Sequence, residues 1–249
     1  MNNPVGFTLI TGVGKGFGRD LFVHRAKKIG KVVGFTRSLN DIAALKEELK
    51  ESGVDYHLYE VDVTDYGRVN EIIRGLKSKN IFIESVINNA GMRFRKPFLD
   101  ISVDDLQLVL NNNVVSIHNI CRACIPDMLE NGKGRVINIS SILGDVALAE
   151  LAAYSISKGA LNALTKSLAV EFADQNITVN GIAPGFCKTS YYGKFIENKV
   201  LHENVTSKIP MKRWGESSEL IGICDFLLSD SAGYITGVTI PVDGGWLAC

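Results

Sequence analysis

The sequence has no surplus of charge: lysine plus arginine equals aspartate plus glutamate at 27 each, so the formal net charge at pH 7 is zero. That balance removes the usual electrostatic footprint of a nucleic-acid or acidic-membrane partner. No apolar stretch approaches the length needed to span a bilayer. The N-terminus, MNNPVGFTLITG, has no basic region ahead of its very short apolar run and does not read as a secretory signal. These absences predict a soluble, cytoplasmic protein. Cysteine is scarce and odd in number (Cys121, Cys124, Cys187, Cys224, Cys249), which argues against a disulfide scaffold in a chain of 249 residues. Cys121 and Cys124 form a C-x-x-C, but inside a long helical pattern and not at a helix N-terminus, where the dipole would lower a thiol pKa. They are expected to be buried and inert. No second C-x-x-C and no H-x₃₋₅-H accompanies them, so no metal is expected. The histidines His24, His57, His118 and His202 show no nucleophile or ligand pattern, and His118 is expected to be structural. Repeats, low-complexity tracts and linkers are missing too, so the chain reads as one domain over residues 1–249.

What is present is a strand-then-helix alternation. Short apolar or β-branched runs stand at FTLI, KVVGFT, HLYEVD, SVINNA, RVINIS and ITVNGIAP, with a last one at VTIPVD. Helical patterns lie between them. In LNDIAALKEELKES the apolar residues Ile42, Leu45 and Leu49 are spaced three and four apart. Ser38 followed by Asp41 is a capping-box signature for that helix. A second helical pattern is YGRVNEIIRGLKSK, a third spans 103–129, and a fourth is AAYSISKGALNALTKSLAVEFADQ. Such alternation implies a Rossmann-like, doubly wound α/β fold: a parallel sheet with crossover helices on both faces. Its ligands bind at the carboxyl ends of the strands.

At the first such end stands TGVGKGFG, Thr11–Gly18. It does not fit G-x-G-x-x-G, but it fits T-G-x-x-x-G-x-G through Thr11, Gly12, Gly16 and Gly18. A tight glycine turn that opens a helix presents unpaired N–H groups to a pyrophosphate. A site for an unmodified adenine ribose carries an acid about 20 residues further on. Here the second strand ends in GFTRS, with Arg37 in that position. A guanidinium binds a 2′-phosphate in a fork geometry, and Lys15 adds a cation from the turn. Two cations and no acid at this end point to NADP(H).

Further along, Tyr154 and Lys158 stand at i and i+4 on one helix face. An ordinary tyrosine pKa near 10 is too high for a base at neutral pH, and a neighbouring ammonium lowers it. The pair therefore reads as a proton-transfer device.

Taken in order, these stretches resemble the short-chain dehydrogenase/reductase family, in its compact single-domain branch, over essentially the whole chain. INNAG (Ile87–Gly91), Asp62-Val63, NISSILG followed by YSISK, APGFCKT and ITGVTIPVDGG are each similar to a family motif. The resemblance implies a catalytic set of Asn113, Ser141, Tyr154 and Lys158. Ser141 polarises the substrate carbonyl, while Ser140 bonds locally. Tyr154 is the proton donor, and Lys158 also holds the nicotinamide ribose. The asparagine lies in NNNVVSIHN; Asn113 has the family position, and Asn111 and Asn112 stay open. Three asparagines inside one helix are also locally unfavourable, as at many functional sites. The neighbourhood of Asn113 is expected to hold a water that relays protons to Lys158.

The expected cofactor contacts are Gly12, Gly14, Lys15, Gly16, Phe17 and Gly18 at the turn, then Arg37 and Ser38, then Asp62 and Val63. Asn89, Ala90 and Gly91, Tyr154 and Lys158, and Pro184, Gly185 and Thr189 complete them. Substrate candidates are Arg93, Ser141 and Tyr191. Arg93 and Arg95 in GMRFRKPF read either as anion clamps or as solvated loop charges. Residues 186–212 occupy the position of the family's substrate lid, where Tyr191, Tyr192 and Phe195 cover a ligand or simply pack. The branch implies hydride transfer to a small, polar carbonyl substrate of sugar, polyol or keto-acid type, and a homotetramer or homodimer. Reduction of 3-oxoacyl chains on a carrier protein is an alternative, disfavoured by Gly132 and Gln175 where basic docking residues are expected, with Lys133 adjacent. A non-catalytic NADP(H)-binding regulator is another; it would have no reason to keep the acid/base pair. A nucleotide-sugar epimerase is disfavoured by the turn spacing.

Overall fold

The computed structural model describes residues 5–189 and 192–249. The apolar runs become strands β1 (Val5–Thr11), β2 (Val32–Thr36), β3 (Tyr56–Glu60), β4 (Ile81–Asn88), β5 (Gly134–Ile139), β6 (Ile177–Pro184) and β7 (Thr239–Val242). They form one parallel sheet in the order β3-β2-β1-β4-β5-β6-β7. The helices are α1 (Gly16–Ile29), α2 (Leu39–Leu49), α3 (Tyr66–Lys77), α4 (Val103–Leu110), α5 (Ser116–Asn131), α6 (Ala152–Phe172), α7 (Tyr192–Ile196), α8 (Lys199–Lys208) and α9 (Ser217–Leu228). Among the described residues, no helix is long and apolar enough to cross a membrane.

Helices cover both faces, which is why the strands read as continuous apolar runs. On one face Leu21 and Phe22 of α1, Leu45 of α2 and Leu220 of α9 pack on Ile10, Val32 and Ile87. On the other, Ile72 of α3, Ile120 of α5 and Leu161 of α6 pack on Leu9, Val86 and Val136. The expected Rossmann-like, doubly wound arrangement is observed. From β1 the chain winds outward through β2 and β3, then returns to place β4 on the other side of β1. The reversal leaves a crevice at the carboxyl ends of β1 and β4.

Three buried polar groups tie α6 to the sheet. Asn88 Nδ2 donates to Asn138 Oδ1 (2.9 Å), and Asn138 Nδ2 donates to Thr165 Oγ1 (2.9 Å). In a low-dielectric interior such bonds fix one relative placement, because a slip would strand buried polar groups.

Two local expectations need correction. The pattern over 103–129 is not one α-helix: Asn111–Val115 form a π turn between α4 and α5. The asparagines cause it by competing for the backbone. Asn112 Nδ2 donates to Leu108 O (2.9 Å), Ser116 Oγ donates to Asn112 O (2.7 Å), and Asn113 turns inward. The capping box of α2 is only half formed. Ser38 Oγ accepts from Asp41 N (3.3 Å), but the Asp41 carboxylate accepts from Thr36 Oγ1 (3.2 Å). Cys121 and Cys124 are buried on α5 as expected, and burial pushes the Cys121 thiol up to about 12.

Candidate active site

The crevice opens into a cleft of about 540 Å³. Its floor is the glycine turn. Gly12 has φ +73°, a region that favours glycine. A Cβ on Gly18 would run into Asn89 and the Gly12 carbonyl. Asn89 holds this turn from the next strand: its Nδ2 donates to Thr11 O (3.0 Å) and Gly12 O (3.1 Å). Thr11 Oγ1 in turn accepts from the backbone N–H groups of Asn89 (3.1 Å) and Ala90 (3.0 Å). Helix α1 then starts with no side-chain cap and no acid in its first turn. Its unpaired N–H groups and dipole suit a pyrophosphate.

At the end nearest β2 and β3, Lys15, Arg37, Ser38, Asp62 and Val63 all line the cleft. Arg37 is held loosely, with a guanidinium nitrogen 3.8 Å from Asp62 Oδ2 and a side chain 71% exposed. Burial acts upward on the Asp62 carboxyl, but hydrogen bonds from Thr64 and the charge of Arg37 outweigh it and hold it below its usual value. The expected absence of acid does not hold. Asp41 lines the same cleft, its carboxylate packed so closely on Gly14 that a Cβ there has no room. Asp41 sits in the first turn of α2, which curls back over the β1 turn. A Cβ at Gly14, whose φ is not positive, would displace the Asp41 carboxylate and crowd the Thr36 hydroxyl. Spacing along the chain gave no signal for that contact.

At the end nearest β5 and α6, Ser141, Tyr154 and Lys158 line the cleft. Ser141 caps a short 3₁₀ turn (Ile142–Gly144), and its Oγ accepts from Leu143 N (3.2 Å). That bond orients the hydroxyl and leaves its proton to donate. Ser140 is occupied locally, donating to Asn162 Oδ1 (2.6 Å), as expected. Lys158 is buried; its Nζ donates to Ile139 O (2.8 Å) and lies 5.6 Å from the Tyr154 ring centroid. Burial pushes its pKa down to about 8. An ammonium has three protons, and only one is met by an acceptor among the described residues. That spare donor capacity at a buried cation fits the hydroxyls of a cofactor ribose.

Two expected site residues do not line the cleft. Gly16 forms the start of α1, and Asn113 lies wholly buried behind the wall. Asn113 Oδ1 accepts from Met92 N (2.8 Å), and its Nδ2 donates to Met92 O (2.9 Å) and Ser157 Oγ (3.0 Å). It pins the loop after β4 to α6. Asn112 reaches the cleft rim but bonds back to its own helix, and Asn111 is exposed. His118 is exposed on α5.

Arg93 and Tyr192 line the substrate end. Tyr191 and the side chain of Phe195 lie outside the described residues. The lid segment carries α7 and α8, packed around Trp214, which the motif reading missed. Tyr192 OH lies 3.3 Å from His202 Nε2, His202 stacks on Trp214 at 5.5 Å, and Trp214 Nε1 donates to Thr206 Oγ1 (3.0 Å). The signal available was a lone tryptophan directly after the lid segment. Phe186 joins this aromatic group, 5.3 Å from Trp214 and 4.9 Å from Trp246.

Comparison with known proteins agrees with this geometry. A family model described as enoyl-(acyl carrier protein) reductase matches residues 12–247. The chain is 32% identical over 238 residues to a 3-oxoacyl-[acyl-carrier-protein] reductase of Staphylococcus aureus, covering 95% of this chain and 96% of that protein. Among solved structures, one assigned as a gluconate dehydrogenase of Agrobacterium tumefaciens superposes with a TM-score of 0.94 at 31% identity, covering 98% and 96% of the two chains. A gluconate 5-dehydrogenase of Burkholderia cenocepacia, in complex with NADP and tartrate, gives 0.92 at 28% identity, covering 99% and 97%.

Proposed function

The chain belongs to the short-chain dehydrogenase/reductase family, and on that premise we propose that it is an NADP(H)-dependent enzyme acting on a carbonyl or secondary alcohol of a small, polar substrate. The observation that carries this is that Ser141, Tyr154 and the buried Lys158 line the same cleft as the glycine turn. A bound nicotinamide supplies the hydride that reaches the carbonyl carbon. The remaining work falls to the chain. Ser141 and Tyr154 hydrogen-bond the oxygen as it gains charge. Tyr154 donates its proton there. The Lys158 ammonium stabilises the phenolate left behind, and a water beside Asn113 resupplies the proton. Asn113 itself acts by position, since its amide is fully engaged. In the oxidative direction the same groups run in reverse.

NADP(H) is favoured by Lys15 and Arg37, both on the adenosine side of the cleft. Relatives solved with NADP bound are consistent with that choice, while a 4-hydroxyisoleucine dehydrogenase at 29% identity carries NADH, so the preference rests on Lys15 and Arg37. The test is NADPH oxidation against a panel of ketones, aldehydes and keto acids. Tyr154→Phe is expected to lower kcat by roughly 10²- to 10⁴-fold while NADPH binding persists. Unchanged turnover in that variant would refute the mechanism. Loss of turnover across the panel would favour a nucleotide-binding regulator.

A second reading, reduction of 3-oxoacyl chains on a carrier protein, draws on the 32% identity to such reductases. The surface argues against it. Lys133, the cation nearest the expected docking position, is held by Asp230 (2.9 Å) and Glu84 (3.4 Å). Turnover of a carrier-bound 3-oxoacyl thioester above the free keto acid would reverse that preference.

A further inference from the structure

Beside the catalytic cleft lies a second cavity of about 340 Å³. The two share Arg93, Leu148 and Phe186, so they adjoin at these side chains. The second cavity is assembled from five distant stretches: the loop after β4, the loop before α6, the loop after β6 at Phe186, helix α8, and the chain end at Trp246. Its body is apolar, with Leu148, Phe186, Val205 and Trp246 among its walls. Its charged groups are all of one sign: Arg93, Arg95 and Lys208 line it, and no acidic residue does. Glu150, outside the wall, accepts from Arg95 Nε at 2.7 Å.

The donor and acceptor balance is more telling than the charge. Guanidinium and ammonium groups only donate. Among the described residues, the lone side-chain acceptor on the wall is the amide oxygen of Asn204. A sugar or polyol needs acceptors for its hydroxyl protons, and burying hydroxyls against Leu148 and Trp246 without them is costly. A carboxylate or phosphate needs donors only, and a guanidinium meets it in a fork. We infer that this cavity is a second substrate subsite, and that it takes an anion-terminated hydrocarbon arm. The substrate is then an oxo acid or an oxoalkyl phosphate, or the matching hydroxy compound. Its carbonyl stands at Ser141 and Tyr154, its carbons cross the Leu148 and Phe186 wall, and its anionic end meets Arg93 and Lys208. This narrows the polar-substrate class proposed above and rests on that oxidoreductase assignment.

The test compares NADPH-dependent reduction of 5-oxohexanoate and 7-oxooctanoate with their methyl esters, and with 6-oxoheptyl phosphate. At least one acid or the phosphate should exceed its neutral counterpart by about tenfold or more in kcat/KM. Whether carboxylate or phosphate does so tells the two anions apart. Lys208→Gln and Arg93→Gln should each collapse the acid-to-ester ratio toward one, chiefly through the KM of the acid. A variant that merely misfolds would lose acid and ester together and leave the ratio intact. An acid no better than its ester in the wild-type enzyme overturns the inference, as does a ratio that survives both substitutions in variants that turn over the ester at the wild-type rate. Calorimetric titration of adipate and of hexyl phosphate into the NADP⁺-loaded protein separates the two claims. Binding that Lys208→Gln abolishes, with no turnover of any compound, would keep the subsite and refute the oxidoreductase assignment. Turnover of neutral ketones with neither anion bound would refute the subsite and keep the assignment.

Discussion

Replacing Lys158 by methionine should make the protein more stable while abolishing turnover. The wild-type ammonium is buried, and burial lowers its pKa from 10.5 to about 8. At about 1.4 kcal/mol per pKa unit, holding the proton in the folded state costs on the order of 3 kcal/mol. Methionine has a similar length and no charge to desolvate. It forfeits the bond to Ile139 O (2.8 Å), which subtracts about 1 kcal/mol. The net gain near neutral pH is roughly 2 kcal/mol, or about 4–8 °C in melting temperature for a chain of this size. The pH dependence gives the sharper check. Below about 8 both the folded and the unfolded wild type carry the proton, so the whole cost is present. Between about 8 and 10.5 the unfolded chain binds more protons, and wild-type stability rises with pH relative to the variant. Thermal melts of the two cofactor-free proteins from pH 6 to pH 10.5 should show a gap that closes across that window. A variant less stable than wild type at pH 7, or a gap that does not change with pH, would refute the burial argument for Lys158.

The remaining predictions concern the cofactor cleft and the thiols. Arg37→Asp should shift preference from NADPH toward NADH in steady-state kcat/KM; an unshifted ratio would remove Arg37 from 2′-phosphate binding. Asp41→Asn should do the opposite, raising NADPH preference by about fivefold, since removing a nearby like charge is worth roughly 1 kcal/mol; the gain should shrink at high salt. Gly18→Ala should lower stability by about 1–3 kcal/mol and weaken NADPH binding in a fluorescence titration, because the new methyl meets Asn89 and the Gly12 carbonyl. Of the five thiols only Cys249 is exposed, so a disulfide reagent should modify at most one cysteine per native chain; rapid labelling of Cys121 or Cys124 would contradict their burial on α5.

Much of the site was legible because its parts are local. Tyr154 and Lys158 share a helix face by spacing alone, and the glycine turn follows directly on β1. Ser141 stands at the end of β5, where a parallel sheet presents its ligands. The apolar runs specify strands, and their alternation with helical patterns leaves few topologies besides a doubly wound sheet. What stayed hidden depends on contacts between residues far apart in sequence or on competition within a helix. Nothing along the chain says that the carboxylate of Asp41 folds back on Gly14, though the two together shape the adenosine end of the cleft. Three asparagines signalled local conflict, but the π turn and the inward side chain of Asn113 were settled by the partners that Met92 and Ser157 offer.

The sequence by itself thus determined the sheet, the glycine turn after β1 and the shared helix face of Tyr154 and Lys158, since each is written in short-range spacing and local conformational preference. Only the tertiary structure decided what faces the substrate. The second cavity draws on residues from Arg93 to Trp246, and its donor-rich, apolar character exists only once five separate stretches close around one space.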